Sequence, residues 1–182
     1  MSKTHAGGCS GTRPFFVRTT CVRLLVVLMA LIGATACSSV PPLANAIGSP
    51  EALAVAVLDA IRTGDRARLD SLALSQEEFR DHVWPDLPAA RPERNLPLSY
   101  VWGDLRQKSD LALTGTLEQR SGRRYELRAV TFASVTPYAH YRVHREAKFH
   151  VRDVDGHETD LHVCGSMIEK DGGWKVFSYV VD

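Results

Sequence analysis

Apolar residues recur at three- and four-residue spacing after residue 50, where Leu53, Val57, Leu58 and Ile61 fall on one helical face. Ser49-Pro50-Glu51 opens this helix in the expected order of N-cap, proline and early acid, and Gly64 closes it. Asp65 caps a second, short helix carrying Leu69 and Leu72. Ser75 and Glu78 form the capping box of a third over SQEEFRDHVW, which Pro85 stops. Pro85, Pro88, Pro92 and Pro97 make the next stretch irregular, a segment expected to wrap the surface and edge a pocket. After the short apolar piece LSYVW, Asp104 is expected to cap a last helix whose Leu105, Ala112, Leu113, Thr116 and Leu117 share a face.

Beyond the Ser121-Gly122 turn the period falls to two. Strands are predicted at about residues 124–133, 138–152, 158–169 and 174–181, the last two turns being Asp155-Gly156 and Asp171-Gly172. Helices followed by an antiparallel meander predict an α+β fold, with N-terminal helices packed on a curved antiparallel sheet of about four main strands.

The second predicted strand holds HYRVHREAKFH, residues 140–150, with three of the chain's seven histidines. At ~3.3 Å per residue, His140 and His144 lie about 13 Å apart and cannot share a metal. Alternation sends Arg142, His144, Glu146, Lys148 and His150 to one side, and Tyr141, Val143, Arg145, Ala147 and Phe149 to the other. A three-residue loop at Val154-Asp155-Gly156 pairs Phe149 with Leu161, Ala147 with Val163 and Val143 with Met167. It sets Asp160 opposite His150 with His162 diagonal to it, the nearest approach to a metal-ligand set, though a flat exposed face suits zinc poorly and no metal is expected. Arg145 is the misfit, charged on an apolar face. It is expected opposite Gly165, with room there for a side chain or ligand, and either paired with Glu169 or open to an anion.

Charge changes the picture at the N-terminus. Lys3, Arg13, Arg18 and Arg23 precede the apolar run LLVVLMALIGA with no acid among them, and setting them aside leaves 18 basic against 21 acidic residues. A mildly acidic body argues against a nucleic-acid partner. The basic start and an apolar run of about a dozen residues read as an export signal rather than a membrane span. Ala34-Thr35-Ala36-Cys37 resembles the lipobox of bacterial lipoproteins, although Ala34 stands where leucine is commonest. The resemblance implies a signal over residues 1–36, lipidation of Cys37, a tether to residue 48 and a domain over residues 49–182, held at the membrane and facing the periplasm or exterior. Ala44-Asn45-Ala46 is the alternative, a site for release after Ala46 as a soluble secreted protein. Cys164 is then the lone thiol of the body, a small buried hydrophobe without an activating neighbourhood.

The closing hairpin GSMIEKDGGWKVFSYVV is similar to the last hairpin of nuclear transport factor 2-like domains, which also begin with two or three helices. That resemblance covers residues 49–182 in element order and implies a cone in which a bent sheet wraps helices around a pocket. It implies a ligand-binding or scaffolding role, or alternatively a lyase or isomerase like the polyketide cyclases and ketosteroid isomerases of that fold. Candidate pocket residues are Arg145, Tyr141, Glu169 and Trp102, with Tyr100 and Tyr138 at an open end. His82, next to Asp81, and Asp104 are the candidate proton-transfer groups. No GxSxG, glycine-rich phosphate loop, HExxH or CxxC is present, so no cofactor is expected. The expected ligand is small and apolar or weakly anionic. Trp174 and Val176 point one way and Phe177 and Tyr179 the other, which suggests a second copy on one face.

Overall fold

The structure, a computed structural model, describes residues 41–181; the expected export signal and Cys37 lie outside the described residues. Helix α1 (Pro50–Thr63) begins as expected: the Ser49 side chain accepts from the Ala52 N–H, and Gly64 ends the helix at φ 67°. Left-handed backbone is a conformation that glycine adopts without penalty. Asp65 caps α2 (Arg66–Leu72) through the Arg68 N–H. The capping box is present at α3 (Gln76–Glu78), where Ser75 and Glu78 exchange bonds.

The third helix does not run on to Trp84 in the α form. Phe79–Val83 widens into a π-turn and Trp84–Asp86 tightens into a 3-10 turn ahead of the proline-rich stretch. The last helix, α4 (Leu98–Arg120), starts six residues before the expected cap. Pro97 leads in with φ −66°, and LSYVW forms the opening turns. Asp104 therefore lies inside the helix, bonded to Lys108 one turn on.

Seven strands follow: β1 (Tyr125–Thr131), β2 (Ser134–Pro137), β3 (Arg142–Arg145), β4 (Lys148–Asp153), β5 (Glu158–Leu161), β6 (Ser166–Lys170) and β7 (Gly173–Ser178). They form two antiparallel sheets, one ordered β1-β4-β5 and the other β2-β3-β6-β7. Two of the expected long strands are creased, the second into β3 and β4 and the third into β5 and β6, while β2 lies between the first and second expected strands, where none was expected.

At the crease, Glu146 has φ 53°, and the N–H groups of Glu146 and Ala147 both donate to the Gly165 carbonyl, at 2.7 and 3.4 Å. Two residues thus oppose one, which is a β-bulge. Above it the expected register holds, with Phe149 paired to Leu161 and His150 to Asp160. Below it the register slips by one: Val143 meets Ile168, His144 meets Met167 and Arg145 meets Ser166. The slip also exchanges faces. Ala147, Phe149 and Val151 bury against α1 and α2, whereas below the bulge His144 takes that side, its ring 4.5 Å from Trp174. Tyr141, Val143 and Arg145 turn the other way, so Arg145 does not share the face of Ala147 and Phe149 as strict alternation expects.

Two cores result. The larger packs α1, α2, Leu113 of α4 and the inner face of the β1-β4-β5 sheet. The smaller gathers Leu43, Leu74, Phe79, Val83, Tyr141, Val143 and Ile168 on the other face of β3 and β6. Both faces of β7 are covered within the chain, Trp174 and Val176 by the first core and Phe177 by Phe79 of the second.

The stretch expected to be a tether is partly docked. Leu43 is 7% exposed, the Ala44 N–H donates to Glu78, and Ile47 exchanges backbone bonds with Trp174. Glu78 is the hub here: its carboxylate also takes Lys175 Nζ at 2.7 and 3.0 Å and the Ser75 N–H at 2.8 Å. Burial alone raises the Glu78 carboxyl, but those donors outweigh it and hold the group below the usual carboxylate value.

Candidate ligand-binding site

The second core is incomplete on the side where the start of α4 faces β3, leaving a cavity of about 440 Å³. That lies within the range of sites for small organic ligands, roughly 300–1,000 Å³. Three parts of the chain supply its walls: Phe79, Val83 and Leu87 from the turns after α3, Val101 and Leu105 from α4, and Val143 and Phe177 from the sheet. The π-turn brings Phe79 and Val83 to the cavity. Both are almost fully buried, and Phe79 also packs its ring against Trp102 at 5.2 Å.

Tyr141 and Arg145 lie two residues either side of Val143 on the cavity face of β3. Tyr141 is 4% exposed, its ring stacks on Tyr138 at 4.6 Å, and its hydroxyl has no partner among the described residues. A buried donor left unmet costs about 1–3 kcal/mol. Burial, with Asp86 and Tyr138 nearby, pushes the Tyr141 hydroxyl well above the ordinary tyrosine value, so it remains a neutral donor. Arg145 is exposed at its head; its side-chain partner among the described residues is the Thr136 hydroxyl, at 3.3 Å. Asp104 and Lys108 sit at the rim, paired at 2.7 Å, and Asp104 holds the Lys108 ammonium above its ordinary value.

The other candidates fall elsewhere. Glu169 does not meet Arg145: it accepts from His144 Nε2 at 3.0 Å and Arg142 at 3.4 Å, on the opposite face of the sheet. The register slip at the bulge is the cause. Trp102 backs Phe79 and borders a shallow groove on the outside of α4. Tyr100 is 66% exposed. His82 lies on the π-turn outside the cavity lining, and burial, with Lys170 close by, holds it below the ordinary histidine value. Asp81 does not orient it, because Arg80 occupies that carboxylate at 2.6 and 3.0 Å.

His150 Nδ1 meets Asp160 at 2.6 Å and its Nε2 meets the Thr131 hydroxyl at 2.9 Å, so both ring nitrogens are engaged, while His162 is exposed. A different trio, Asp153, Asp155 and His157, gathers in the β4–β5 turn, but Asp153 there accepts the N–H groups of Asp155 and His157 and serves the turn itself. Cys164 is fully buried, which pushes its thiol up and leaves it unreactive. Gly165 is not opposite Arg145, which pairs with Ser166, and it leaves no room of its own, because the Val180 carbonyl fills the place where its side chain would be.

Sequence reasoning missed the wall formed by Phe79, Val83 and Leu87. The available signal was the proline pair at Pro85 and Pro88, which forces the helix to change form just before them. It also missed Lys108, four residues after Asp104 and so on the same face. Comparisons with protein-family models, with curated proteins and with solved structures find no match.

Proposed function

We propose that this chain is an exported, envelope-anchored binding protein whose domain takes a small apolar, weakly anionic ligand in the cavity between α4 and β3. The observation that carries this reading is the cavity itself: walls largely apolar, a Tyr141 hydroxyl buried without a partner among the described residues, and Arg145 at the mouth, which among those residues is in no ion pair although Glu146 also lines the opening. Such a combination is the expected form of a small-molecule site, with few polar groups converging on an apolar space. A cone of the nuclear transport factor 2-like kind is the finer fold reading, supported by helices preceding a creased antiparallel sheet with a pocket on one side.

The anchor reading rests on the basic leader, the apolar run and the Ala34-Thr35-Ala36-Cys37 pattern. The docking of Leu43 and Ala44 supports it against release after Ala46, which would remove both from the folded domain. Among the described residues no helix is long and apolar enough to cross a membrane, so attachment in this reading falls to the lipid on Cys37. Palmitate labelling should disappear in Cys37→Ala; label that persists refutes the anchor. For the cavity, calorimetric titration with dodecanoate should saturate at one site and weaken about tenfold in Arg145→Gln, the loss of one charge-assisted contact. No saturable binding refutes the binding reading.

A lyase or isomerase is the second reading, because Asp104 and Tyr141 line the same cavity. Against it, Asp104 is committed to Lys108, and among the described residues no histidine lines the cavity. Incubating the protein in heavy water with any small molecule that co-purifies with it separates the two. Deuterium entering a carbon of the ligand, and lost in Asp104→Asn, marks the enzyme; an unlabelled ligand marks the binder.

A further inference from the structure

The four exposed residues of the cavity lining are its four charged ones: Asp104 and Lys108 on α4, with Arg145 and Glu146 where β3 meets the bulge. Two cations and two anions make the mouth neutral overall. Asp104 and Lys108 neutralise each other at 2.7 Å. Arg145 and Glu146 do not: among the described residues Arg145 has the Thr136 hydroxyl as its side-chain partner, and neither residue is in an ion pair. In a regular strand two neighbours point to opposite faces. These two line one cavity because the bulge breaks the alternation, with Glu146 at φ 53°. Glycine adopts that conformation freely, whereas glutamate does so under strain. The fold thus holds a carboxylate at the mouth against a backbone preference, the pattern of a side chain kept for binding. Deeper in, Ser166 pairs with Arg145 across β3 and β6, and Ser178 pairs with Ser166 across β6 and β7. A guanidinium and two hydroxyls therefore form one row on the cavity side of the sheet. Apart from Gly165, the remaining lining residues are aliphatic or aromatic.

We propose that the cavity takes a single-chain zwitterionic amphiphile: the anion of its head meets Arg145 in the row with Ser166 and Ser178, the cation meets Glu146, and the chain lies among the apolar walls. This rests on the binding reading above and adds a cation to the ligand's head. A purely anionic head would meet Arg145 beside the Glu146 carboxylate, and a purely cationic head would meet Glu146 beside the Arg145 guanidinium. Each pairs with one charge and is repelled by the other. A head of both signs meets two attractions. Arg145 and Glu146 are consecutive, with Cα atoms ~3.8 Å apart, so both charges fall within the span of one head group. The cavity of about 440 Å³ is of the size that takes a small body of this kind.

The test is calorimetric titration of the full chain with three dodecyl compounds, each kept below its micelle-forming concentration: dodecylphosphocholine, dodecyl phosphate and dodecyltrimethylammonium. The zwitterion is expected to bind about three- to fivefold more tightly than either singly charged compound, the effect of one ion pair at a partly exposed site. Glu146→Gln keeps the side chain's length, removes its charge and abolishes the preference over dodecyl phosphate. Arg145→Gln abolishes the preference over dodecyltrimethylammonium. Glu146→Gly relieves the left-handed strain, so it is expected to melt at or above the parent while losing the same preference as Glu146→Gln. Thermal melts of all three variants establish that they fold. Equal binding of zwitterion and dodecyl phosphate, a preference that survives Glu146→Gln, or a Glu146→Gly chain that melts well below the parent overturns the two-signed head while the binding reading stands. Binding to phosphatidylcholine vesicles with none to monomeric dodecylphosphocholine assigns the mouth to a bilayer surface and overturns the single-chain ligand. Binding of none of the three compounds and of no vesicle overturns both readings.

Discussion

Gly165 concentrates three demands at one position. Its carbonyl accepts two N–H groups from the bulge, its own N–H donates to Ser178, and a methyl group on its Cα would collide with the Val180 carbonyl. The neighbour in the way is backbone and has no rotamer to change, so Gly165→Ala is expected to lose about 3 kcal/mol in urea unfolding. Gly115 is the contrast: it lies inside α4 with open space where a methyl group would go, and Gly115→Ala is expected to gain about 0.5–1 kcal/mol from helix propensity alone. Equal effects at the two sites would show that the crowding at Gly165 is relieved by movement of the C-terminal segment. At this scale the sequence was half legible. That Arg145 needed an explanation followed from its charge on an alternating strand. Its expected partner Glu169 did not follow, because a single extra residue at Glu146 moves every side chain below it to the other face.

Elements were more legible where their ends carry chemistry. Ser49, Gly64, Asp65, Ser75 and Glu78 mark helix boundaries through bonds that their residue types dictate, and all are present. The π-turn and the early start of α4 were hidden, because the first depends on packing Phe79 and Val83 into a core and the second on Pro97 with no side-chain cap. Glu78 could be read as a cap but not as a hub, since Lys175 lies 97 residues on and Ala44 lies 34 residues back. Replacing Lys175 with Met leaves that carboxylate buried without its counter-charge and is expected to cost about 3–5 kcal/mol. The pH dependence follows from the lowered carboxyl. A group whose folded pKa lies below its unfolded value stabilises fully above the unfolded value, near 4.5, and ceases to do so as pH falls through the folded one. Urea unfolding between neutral pH and strong acid should therefore show the Lys175→Met penalty large at neutral pH and shrinking on acidification. A penalty of constant size would mean that the pair is not coupled to the Glu78 proton.

For the whole molecule, the α+β order of helices before antiparallel strands followed from periodicity, since a change from 3.6 to two is visible in any window, but the expected single sheet of about four strands is seven strands in two sheets. The division into two sheets was not visible, because a bulge leaves little trace in a pattern that already alternates imperfectly. Nor was the second core, which joins Leu43 and Leu74 to strands more than 65 residues away. The docked N-terminal stretch has the largest consequence, because it makes the folded domain begin before α1. A chain starting at Ile47, the product of release after Ala46, loses the burial of Leu43, worth about 1.5–3 kcal/mol, and the Ala44 bond to a charged acceptor, worth about 1.5–3 kcal/mol. Starting the chain at Pro41 retains both. Some of that cost is recovered because residues 41–46 no longer have to be ordered. A net difference of about 2–4 kcal/mol between the two chains is expected in urea unfolding. Adding Lys175→Met to each chain tests the route: if the segment acts through Glu78, the two losses combine to less than their sum, because both changes remove donors from one carboxylate. Equal stability of the two chains would mean that Leu43 and Ala44 merely rest on the surface, and release after Ala46 would then cost the domain nothing.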